Sequence, residues 1–193
     1  MILGITGGSG CGKTTLLKLI GQQGGLILDC DAIYHELLAT DRELLAAIEG
    51  RFPGVVAGGV LQRKKLGALV FSDEQALEDL NRITHGAVKR EVLRRLEAGP
   101  KLAAIDAIAL FEGGLAELCD LTVAVTAPTE DRVRRLMARD GISEEYARSR
   151  IAAQHSQDWF RQRCGAVLEN DGTEARFRDK CLAFLRQSGI IES

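Results

Sequence analysis

The stretch Gly7-Gly8-Ser9-Gly10-Cys11-Gly12-Lys13-Thr14 matches the phosphate-binding pattern G-x-x-x-x-G-K-[ST]. The apolar run Ile2–Thr6 before it is typical of a short buried strand, and Lys13–Gln22 after it is typical of a helix. A glycine loop between a strand and a helix turns backbone N–H groups toward one point, where they hold an anion. The stretch therefore predicts a nucleotide site in which Lys13 reaches the β- and γ-phosphates and the Thr14 hydroxyl binds Mg²⁺.

Composition and charge argue against several other classes of protein. The 193 residues suit one domain, and a formal net charge of −2 provides no global basic field for nucleic acid. The apolar runs are too short to span a membrane, and nothing resembles a signal peptide. The five cysteines form no C-x-x-C pair, which favours reduced thiols in a cytoplasm. Cys11 is interpreted as a space-filling side chain, with a redox role as the alternative.

Short strand-like runs alternate with amphipathic helical stretches along the chain. Strands are predicted over Ile2–Thr6, Leu26–Asp29, Leu102–Ile108, Leu121–Thr126 and Ala166–Leu168. Helices are predicted over Lys13–Gln22, Asp31–Leu38, Arg42–Arg51, Arg63–Val70, Glu74–Glu97, Thr129–Arg139, Ser143–Gln154 and Thr173–Gln187. The alternation predicts an α/β fold of the P-loop NTPase type, three-layered, with a five-stranded parallel sheet flanked by helices. Pro53 to Gly59 is predicted to be a glycine-rich loop.

Acidic side chains follow two of the predicted strands, and parallel sheets bind ligands beyond the carboxyl ends of their strands. Asp29 and Asp31 follow the second strand, where an extended backbone would turn both to one face. Asp31 is expected to accept a proton from an attacking hydroxyl, and capping of the next helix is the alternative for both Asp31 and Asp29. Asp106, in the third strand, is expected to help hold Mg²⁺ unless it lies at an exposed strand end. Glu112 either contacts ligand or begins a loop.

Arginines are frequent in the segment between the fourth and fifth predicted strands. Arg132, Arg135 and Arg139 are spaced by three and four residues and so share one helix face. Further arginines lie in the polar segment that we expect to form a lid: Arg148, Arg150, Arg161 and Arg163. Solvation is the alternative for each arginine, but a closing lid would bring such charge onto the transferring phosphoryl group, and Arg139 is the preferred candidate. Thr129 is expected to cap the helix that carries these residues.

Three other features allow two interpretations each. The basic cluster Leu61–Lys65 is a solvated helix start or a surface that faces an anionic acceptor. His85, in the middle of a predicted helix, is a packed or surface histidine or a ligand residue. Trp159 and Phe160 form lid packing or a base-stacking surface, and packing is favoured.

Short motifs spread over nearly the whole chain coincide with those of one known family. They are Ile5–Thr15, Asp29-Cys30-Asp31, Leu61-Gln62-Arg63 with Leu66 and Val70-Phe71, Ile105-Asp106 with Leu110-Phe111-Glu112, the positions Arg135, Arg139 and Gln154, and Asn170-Asp171-Gly172. Through them the chain resembles the dephospho-coenzyme A kinases. It departs from the family's usual residues at Gly86, at Ile108-Ala109-Leu110 and at Cys164-Gly165.

The resemblance implies an ATP-dependent kinase that phosphorylates the ribose 3′-hydroxyl of dephospho-CoA, giving coenzyme A and ADP. It implies catalytic roles for Lys13, Asp31 and Arg139, with Mg²⁺ held by Thr14 and Asp106. Nucleotide contacts are implied for Gly8, Ser9, Gly10, Cys11, Gly12, Lys13, Thr14, Thr15 and Asn170. Acceptor contacts are implied for Thr6, Asp31, Arg63, His85 and Glu112.

The expected organisation is a single kinase domain over residues 1–193, with a helical acceptor-binding insertion at about 31–97 and a lid at about 140–164. We expect a cytoplasmic monomer or weak homo-oligomer, with a small-molecule substrate and neither nucleic-acid nor membrane partners. One alternative is a nucleoside or nucleotide kinase on the same fold. The other is a nucleotide-dependent regulatory protein, although a switch needs no carboxylate to orient a hydroxyl.

Overall fold

The computed structural model describes residues 1–191, and the chain divides into two compact units. The first unit contains Met1–Leu28, Pro100–Leu110 and the described chain from Leu115 onward. The second contains Asp29–Gly99 and Phe111–Gly114.

The strands of the chain form one larger sheet and one hairpin. They are β1 (Ile2–Thr6), β2 (Leu26–Asp29), β3 (Val56–Ala57), β4 (Val60–Leu61), β5 (Ala103–Asp106), β6 (Leu121–Thr126) and β7 (Ala166–Glu169). The five-stranded sheet has the order β2-β5-β1-β6-β7, and β1 pairs in parallel with both β5 and β6. In this register Ile5 of β1 lies opposite Asp106 on one side and Val123 on the other.

The helices fall between these strands. They are α1 (Lys13–Gln22), α2 (Cys30–Thr40), α3 (Arg42–Arg51), α4 (Arg63–Val70), α5 (Glu74–Leu96), α6 (Thr129–Asp140), α7 (Glu144–Ala152), α8 (Gln157–Arg163) and α9 (Glu174–Gln187), with a 3-10 turn at Ala116–Leu118. Several begin at a side-chain cap, as at Ser143, Ser156 and Thr173, whose hydroxyls accept a hydrogen bond from the first helical turn. The predicted five-stranded parallel sheet flanked by helices is confirmed.

The core of the first unit explains why its strands are short apolar runs. Leu3 and Ile5 of β1 are fully buried, because helices cover the sheet. The apolar faces of α1 and α9 join β1, β6 and β7 in one cluster that includes Leu16, Phe177 and Leu168. This packing fixes the carboxyl end of β1, from which the glycine loop departs.

Several predicted boundaries are wrong in informative ways. Strand β5 ends at Asp106 rather than continuing to Ile108, so this aspartate lies at the strand's end. The helix predicted over Ser143–Gln154 ends at Ala152, and α8, which the sequence reasoning missed, follows it. Thr129 does not cap α6, because the helix already begins there and Pro128 occupies the capping position.

The second unit is mostly helical. Its α2 begins at Cys30, one residue earlier than predicted, because the Asp29 carboxylate accepts a hydrogen bond from Ala32 N at 3.0 Å. The segment predicted as a glycine-rich loop, Pro53 to Gly59, contains strand β3 and the turn of the antiparallel hairpin β3–β4, and β4 follows it directly. Gly58 and Gly59, both with positive φ, form the turn of this hairpin.

Candidate active site

The glycine loop joins β1 to α1 within the first unit. Gly7, Gly10 and Gly12 have φ values of 129°, 79° and 94°, which other residues rarely adopt. A Cβ atom on Gly7 would collide with the backbone carbonyl of Val125 in β6. The N–H groups of the first turn of α1 have no acceptor within the helix, and the helix dipole adds partial positive charge at that end. The loop therefore has the backbone of an anion site.

Lys13 and Asp106 lie together at the carboxyl ends of β1 and β5. The Lys13 ammonium donates to Gly7 O at 2.9 Å and lies 3.8 Å from the Asp106 carboxylate. Thr14, the next residue of α1, is exposed. A hydroxyl and a carboxylate are the hard oxygen donors that Mg²⁺ prefers, so these residues fit the ion that accompanies a nucleotide. In residues 1–191 no group of three or more His, Cys, Asp or Glu could hold a metal by itself, so the nucleotide and water would supply the remaining ligands.

Two arginines of α6 and one asparagine brace the loop from outside. Arg132 donates to Ser9 O at 2.9 Å, and Arg135 donates to Gly10 O at 3.2 Å. The Asn170 amide, buried after β7, donates to Cys11 O at 2.9 Å and accepts from Arg135. The structure thus places Asn170 against the loop backbone, and its nucleotide contact stays a prediction.

Two predicted contact residues have buried side chains. Cys11 is fully buried, and burial raises the pKa of its thiol despite the nearby cations, Arg132 first among them. A thiol with a raised pKa is a poor nucleophile at neutral pH, which agrees with a space-filling role. The Thr6 side chain is also buried, and its hydroxyl donates to Ile108 O at 3.2 Å. An acceptor contact through Thr6 stays a prediction.

Arg139 lies at the last turn of α6, on the protein surface. Its guanidinium donates twice to the Asp140 carboxylate, at 2.6 and 2.9 Å, and its side chain is 61% exposed. These hydrogen bonds raise the pKa of Arg139. Asp140 also accepts from Arg150 at 2.7 Å, so the residue favoured by the sequence is held in a surface ion-pair network. Its catalytic role stays a prediction.

In the second unit, the two aspartates of the D-x-D motif have different local roles. Asp29 ends β2 and caps α2, whereas Asp31 lies exposed in the first turn of that helix. The expectation that both extend from one strand face is wrong, because the helix begins between them. The cap alternative is confirmed for Asp29 and is wrong for Asp31, since the Asp29 carboxylate is the group that caps α2. Asp31 thus lies two residues after the capping residue, and its carboxylate is exposed to solvent.

The remaining predicted acceptor residues also lie in the second unit. Arg63, at the start of α4, contacts His35 Nδ1 at 3.2 Å. His85 of α5 and Glu112 line one groove of about 450 Å³ together with Arg82. Burial lowers the pKa of His85, and the Glu112 charge partly offsets this effect. The structure thus brings His85 and Glu112 together, which their separation in sequence did not predict.

Three residues that contact the loop were not among the predicted site residues: Arg132, Arg135 and Gln154. The two arginines had been considered for their shared helix face. Gln154 lies between α7 and α8, where its amide binds both Ser9 N and Ser9 Oγ. The sequence analysis included it only as a family motif position. Because the predicted helix was expected to run through Gln154, the sequence did not indicate that its side chain reaches the loop.

The fold and the glycine loop together define a P-loop kinase. The sheet order, the loop at the end of β1 and the lysine at the start of α1 are the common frame of enzymes that bind a nucleoside triphosphate in this way.

Comparison with known proteins narrows this class. The family model described as dephospho-CoA kinase matches residues 1–176. A dephospho-CoA kinase from Geobacillus kaustophilus is 34% identical over 198 residues, covering 100% of this chain and 98% of the relative. A crystal structure from Thermus thermophilus has a TM-score of 0.83 at 35% identity, covering 97% of both chains. A shikimate kinase structure from Bacteroides thetaiotaomicron, at 15% identity and a TM-score of 0.58 with 98% of both chains covered, shares the fold.

The chain belongs to the dephospho-CoA kinase family. It is a phosphotransferase with an alcohol group as acceptor, and the predicted family, its role in the last step of coenzyme A synthesis and ATP as co-substrate are confirmed. Across residues 1–191, no helix combines the length and the apolar character needed to cross a membrane.

Proposed function

We propose that the residues described above carry out phosphoryl transfer from ATP to the ribose 3′-hydroxyl of dephospho-CoA as follows. The loop from Gly8 to Thr15 holds the triphosphate through its backbone N–H groups other than that of Ser9, which donates to Gln154 Oε1. Lys13 neutralises charge on the transferring group. The observation that carries this assignment is the position of the Lys13 ammonium, at the mouth of the loop and 3.8 Å from the Asp106 carboxylate.

Phosphoryl transfer needs an oriented nucleophile more than covalent help from the protein. We assign the orientation of the nucleophile to Asp31, which is exposed at the start of α2. Its carboxylate would accept the proton of the 3′-hydroxyl while the hydroxyl oxygen attacks the γ-phosphorus. The bond from the γ-phosphorus to the bridging oxygen breaks, and ADP leaves. Acceptor contacts are assigned to Thr6, Arg63, His85 and Glu112, and a nucleotide contact to Asn170.

Mg²⁺ belongs to this proposal, with Thr14 and Asp106 as the residues that would hold it. When bound, the ion would neutralise negative charge on the phosphate oxygens. Asp106 also faces Lys13, so it helps to position the ammonium in either case. We assign Arg139 to the γ-phosphate. To contact it, the guanidinium would release the Asp140 carboxylate and bind the phosphate oxygens instead.

The proposed function also assigns parts of the chain to acceptor binding and to a lid. Residues 1–191 form one kinase domain in which about 31–97 bind the acceptor and about 140–164 form the lid, and the last two residues of the predicted domain lie outside the described residues. A closing lid would keep water, the competing acceptor, away from the transferring group. We further propose a cytoplasmic location and a monomer or weak homo-oligomer.

A coupled assay of ADP release tests the acceptor. The wild-type protein is given ATP with dephospho-CoA, with a panel of nucleosides and nucleoside monophosphates, or with no acceptor. We expect turnover with dephospho-CoA and a phosphate on the ribose 3′-oxygen of the product, identified by mass spectrometry and ³¹P NMR. Turnover with a nucleotide but not with dephospho-CoA would show that the acceptor assignment is wrong. ATP binding without transfer to any acceptor would favour a regulatory switch.

A further inference from the structure

A buried guanidinium lies directly against the phosphate loop. Arg132 of α6 is only 3% exposed. Its Nε donates to Ser9 O at 2.9 Å, and its Nη2 donates to the Gln154 side-chain carbonyl at 3.0 Å. Both of these acceptors are uncharged, so the hydrogen bonds orient the guanidinium without neutralising it.

Gln154 completes the enclosure of Ser9. Its Oε1 accepts from Ser9 N at 2.9 Å, and its Nε2 donates to Ser9 Oγ at 2.7 Å. With the bond from Arg132 to Ser9 O, all three polar groups of this loop residue are held by two side chains. The position of Ser9 is therefore set by residues far away in sequence and not by the loop itself.

Two glycines of the loop, Gly8 and Gly10, leave the space that Arg132 occupies. A Cβ atom on Gly8 would lie 2.8 Å from Arg132 Cζ and 2.9 Å from Gln154 Oε1. A Cβ atom on Gly10 would lie 2.8 Å from the backbone oxygen of Arg132. The loop and α6 are thus packed so closely that only glycine fits at these two positions.

A buried cation with neutral partners is costly unless an anion compensates it. The ligand of this loop under the proposed function is a triphosphate, which carries that charge. We propose that Arg132, held by Gln154 against Ser9, is a positioning residue whose charge, without a counter-charge among residues 1–191, raises the affinity of the loop for ATP. The inference rests on the proposed function only in taking a nucleoside triphosphate as the ligand.

The decisive variants alter the charge of this pair while keeping its size. Gln154→Glu still accepts from Ser9 N and Arg132 but gives the guanidinium an internal counter-charge. We expect the thermal unfolding midpoint without ligand to rise by about 2 to 4 °C and the ATP affinity to fall at least about tenfold. Gln187→Glu makes the same charge change at the exposed last residue of α9. It should leave ATP affinity unchanged and should lower rather than raise the midpoint, because a negative charge is unfavourable at a helix C-terminus.

Arg132→Met tests the same idea by removing the charge. We expect ATP affinity to fall about tenfold while the midpoint without ATP changes by less than about 2 °C. Arg134→Met is the matched control, because Arg134 lies on the same helix, is exposed and pairs with Asp131 on the surface. It should leave ATP affinity within about twofold of the wild type.

Isothermal titration with ATP alone, together with thermal unfolding with and without ATP, gives these values without any acceptor. Unchanged or tighter ATP binding in Gln154→Glu and Arg132→Met would overturn the inference and leave the pair a structural brace. If the wild type binds ATP in this Arg132-dependent way but does not phosphorylate dephospho-CoA, the proposed acceptor fails and the inference stands. A wild type that does not bind ATP overturns both.

Discussion

Replacing Gly8 by alanine tests how tightly the loop is built around Arg132. The new Cβ would lie 2.8 Å from Arg132 Cζ and 2.9 Å from Gln154 Oε1, closer than non-bonded atoms approach. Gly8 is buried, and the guanidinium can relieve the collision only by giving up its hydrogen bonds to Ser9 O and Gln154 Oε1. The side chain that must move is therefore one that has been fixed in place.

The size of the effect follows from these contacts. Overpacking of a filled site costs about 1 to 3 kcal/mol, and each lost hydrogen bond about 1 kcal/mol, partly offset by the smaller entropy of the unfolded alanine chain. We expect Gly8→Ala to lower the free energy of unfolding by about 2 to 4 kcal/mol. For a chain of this size that is a decrease in the unfolding midpoint of roughly 5 to 12 °C.

Thermal unfolding followed by circular dichroism measures this change. Gly50→Ala is the control, because Gly50 is exposed in α3 with no atom close to its added Cβ, and alanine there should stabilise by about 0.5 to 1 kcal/mol. The double variant Gly8→Ala with Arg132→Met removes the collision with the guanidinium but keeps the 2.9 Å contact with Gln154 Oε1, so it should regain part of the lost stability. A Gly8→Ala protein with the wild-type midpoint, or a double variant no more stable than the single one, would refute the packing argument.

Three further variants test other parts of the chain. Asp31→Asn should lower kcat by about 10² to 10⁴ while ATP affinity by titration stays unchanged, because the residue is assigned to the acceptor hydroxyl; unchanged turnover would remove Asp31 from the mechanism. Asp29→Ala removes the cap of α2 and should destabilise the protein by about 1 kcal/mol in denaturant titration; no loss would contradict the cap. Hydrogen bonds from Arg94 and then Arg95 lower the pKa of Glu91 from 4.5 to about 2, so its contribution to stability is present above pH 4.5 and is lost as the pH falls from 4.5 toward 2. Glu91→Gln should therefore be less stable at pH 7 and less sensitive to acid over that interval; an unchanged pH profile would show that the pairing does not persist in solution.

The parts of the fold that the sequence predicted well are those set by local pattern. The bounds of β1, β2 and β6 agree with the predictions, because each is a continuous apolar run that ends at a polar or turn residue. Helix α1 was equally clear, since the phosphate loop defines its first residue. These signals need no knowledge of the rest of the chain.

Other features depend on contacts that the sequence does not reveal. Helix α8 is seven residues long and polar, so it lacks a hydrophobic period, although Ser156 at its start and Asp158 in its first turn were an available signal. Strands β3 and β4 contain only two residues each, too few for an alternating pattern. Such short elements are formed by the packing around them.

The site shows the same division between local and distant information. Lys13 and Asp106 were predicted to act at one place, and they lie together, because parallel strands bring their carboxyl ends to one edge of the sheet. The approach of His85 to Glu112 and of Gln154 to Ser9 joins distant segments, and no spacing rule indicates such pairs. Helical spacing predicted that three arginines share one face of α6. It did not predict how deeply each side chain is buried.

The burial of each side chain decides which of these arginines contacts the loop in the structure as it stands. Arg132, in the first turns of α6, is buried against Ser9 O, whereas Arg139, two turns later, is mostly exposed and bonded to Asp140. An exposed ion pair contributes at most about 1 kcal/mol, so releasing Arg139 from Asp140 costs little. Under the proposed function the two positions suit different tasks. Arg132 would provide a fixed charge that is present before the nucleotide binds, and Arg139 would provide a mobile charge that lid closure brings to the phosphate. Such a division would let the loop bind ATP in the open protein and let the lid exclude water when it closes.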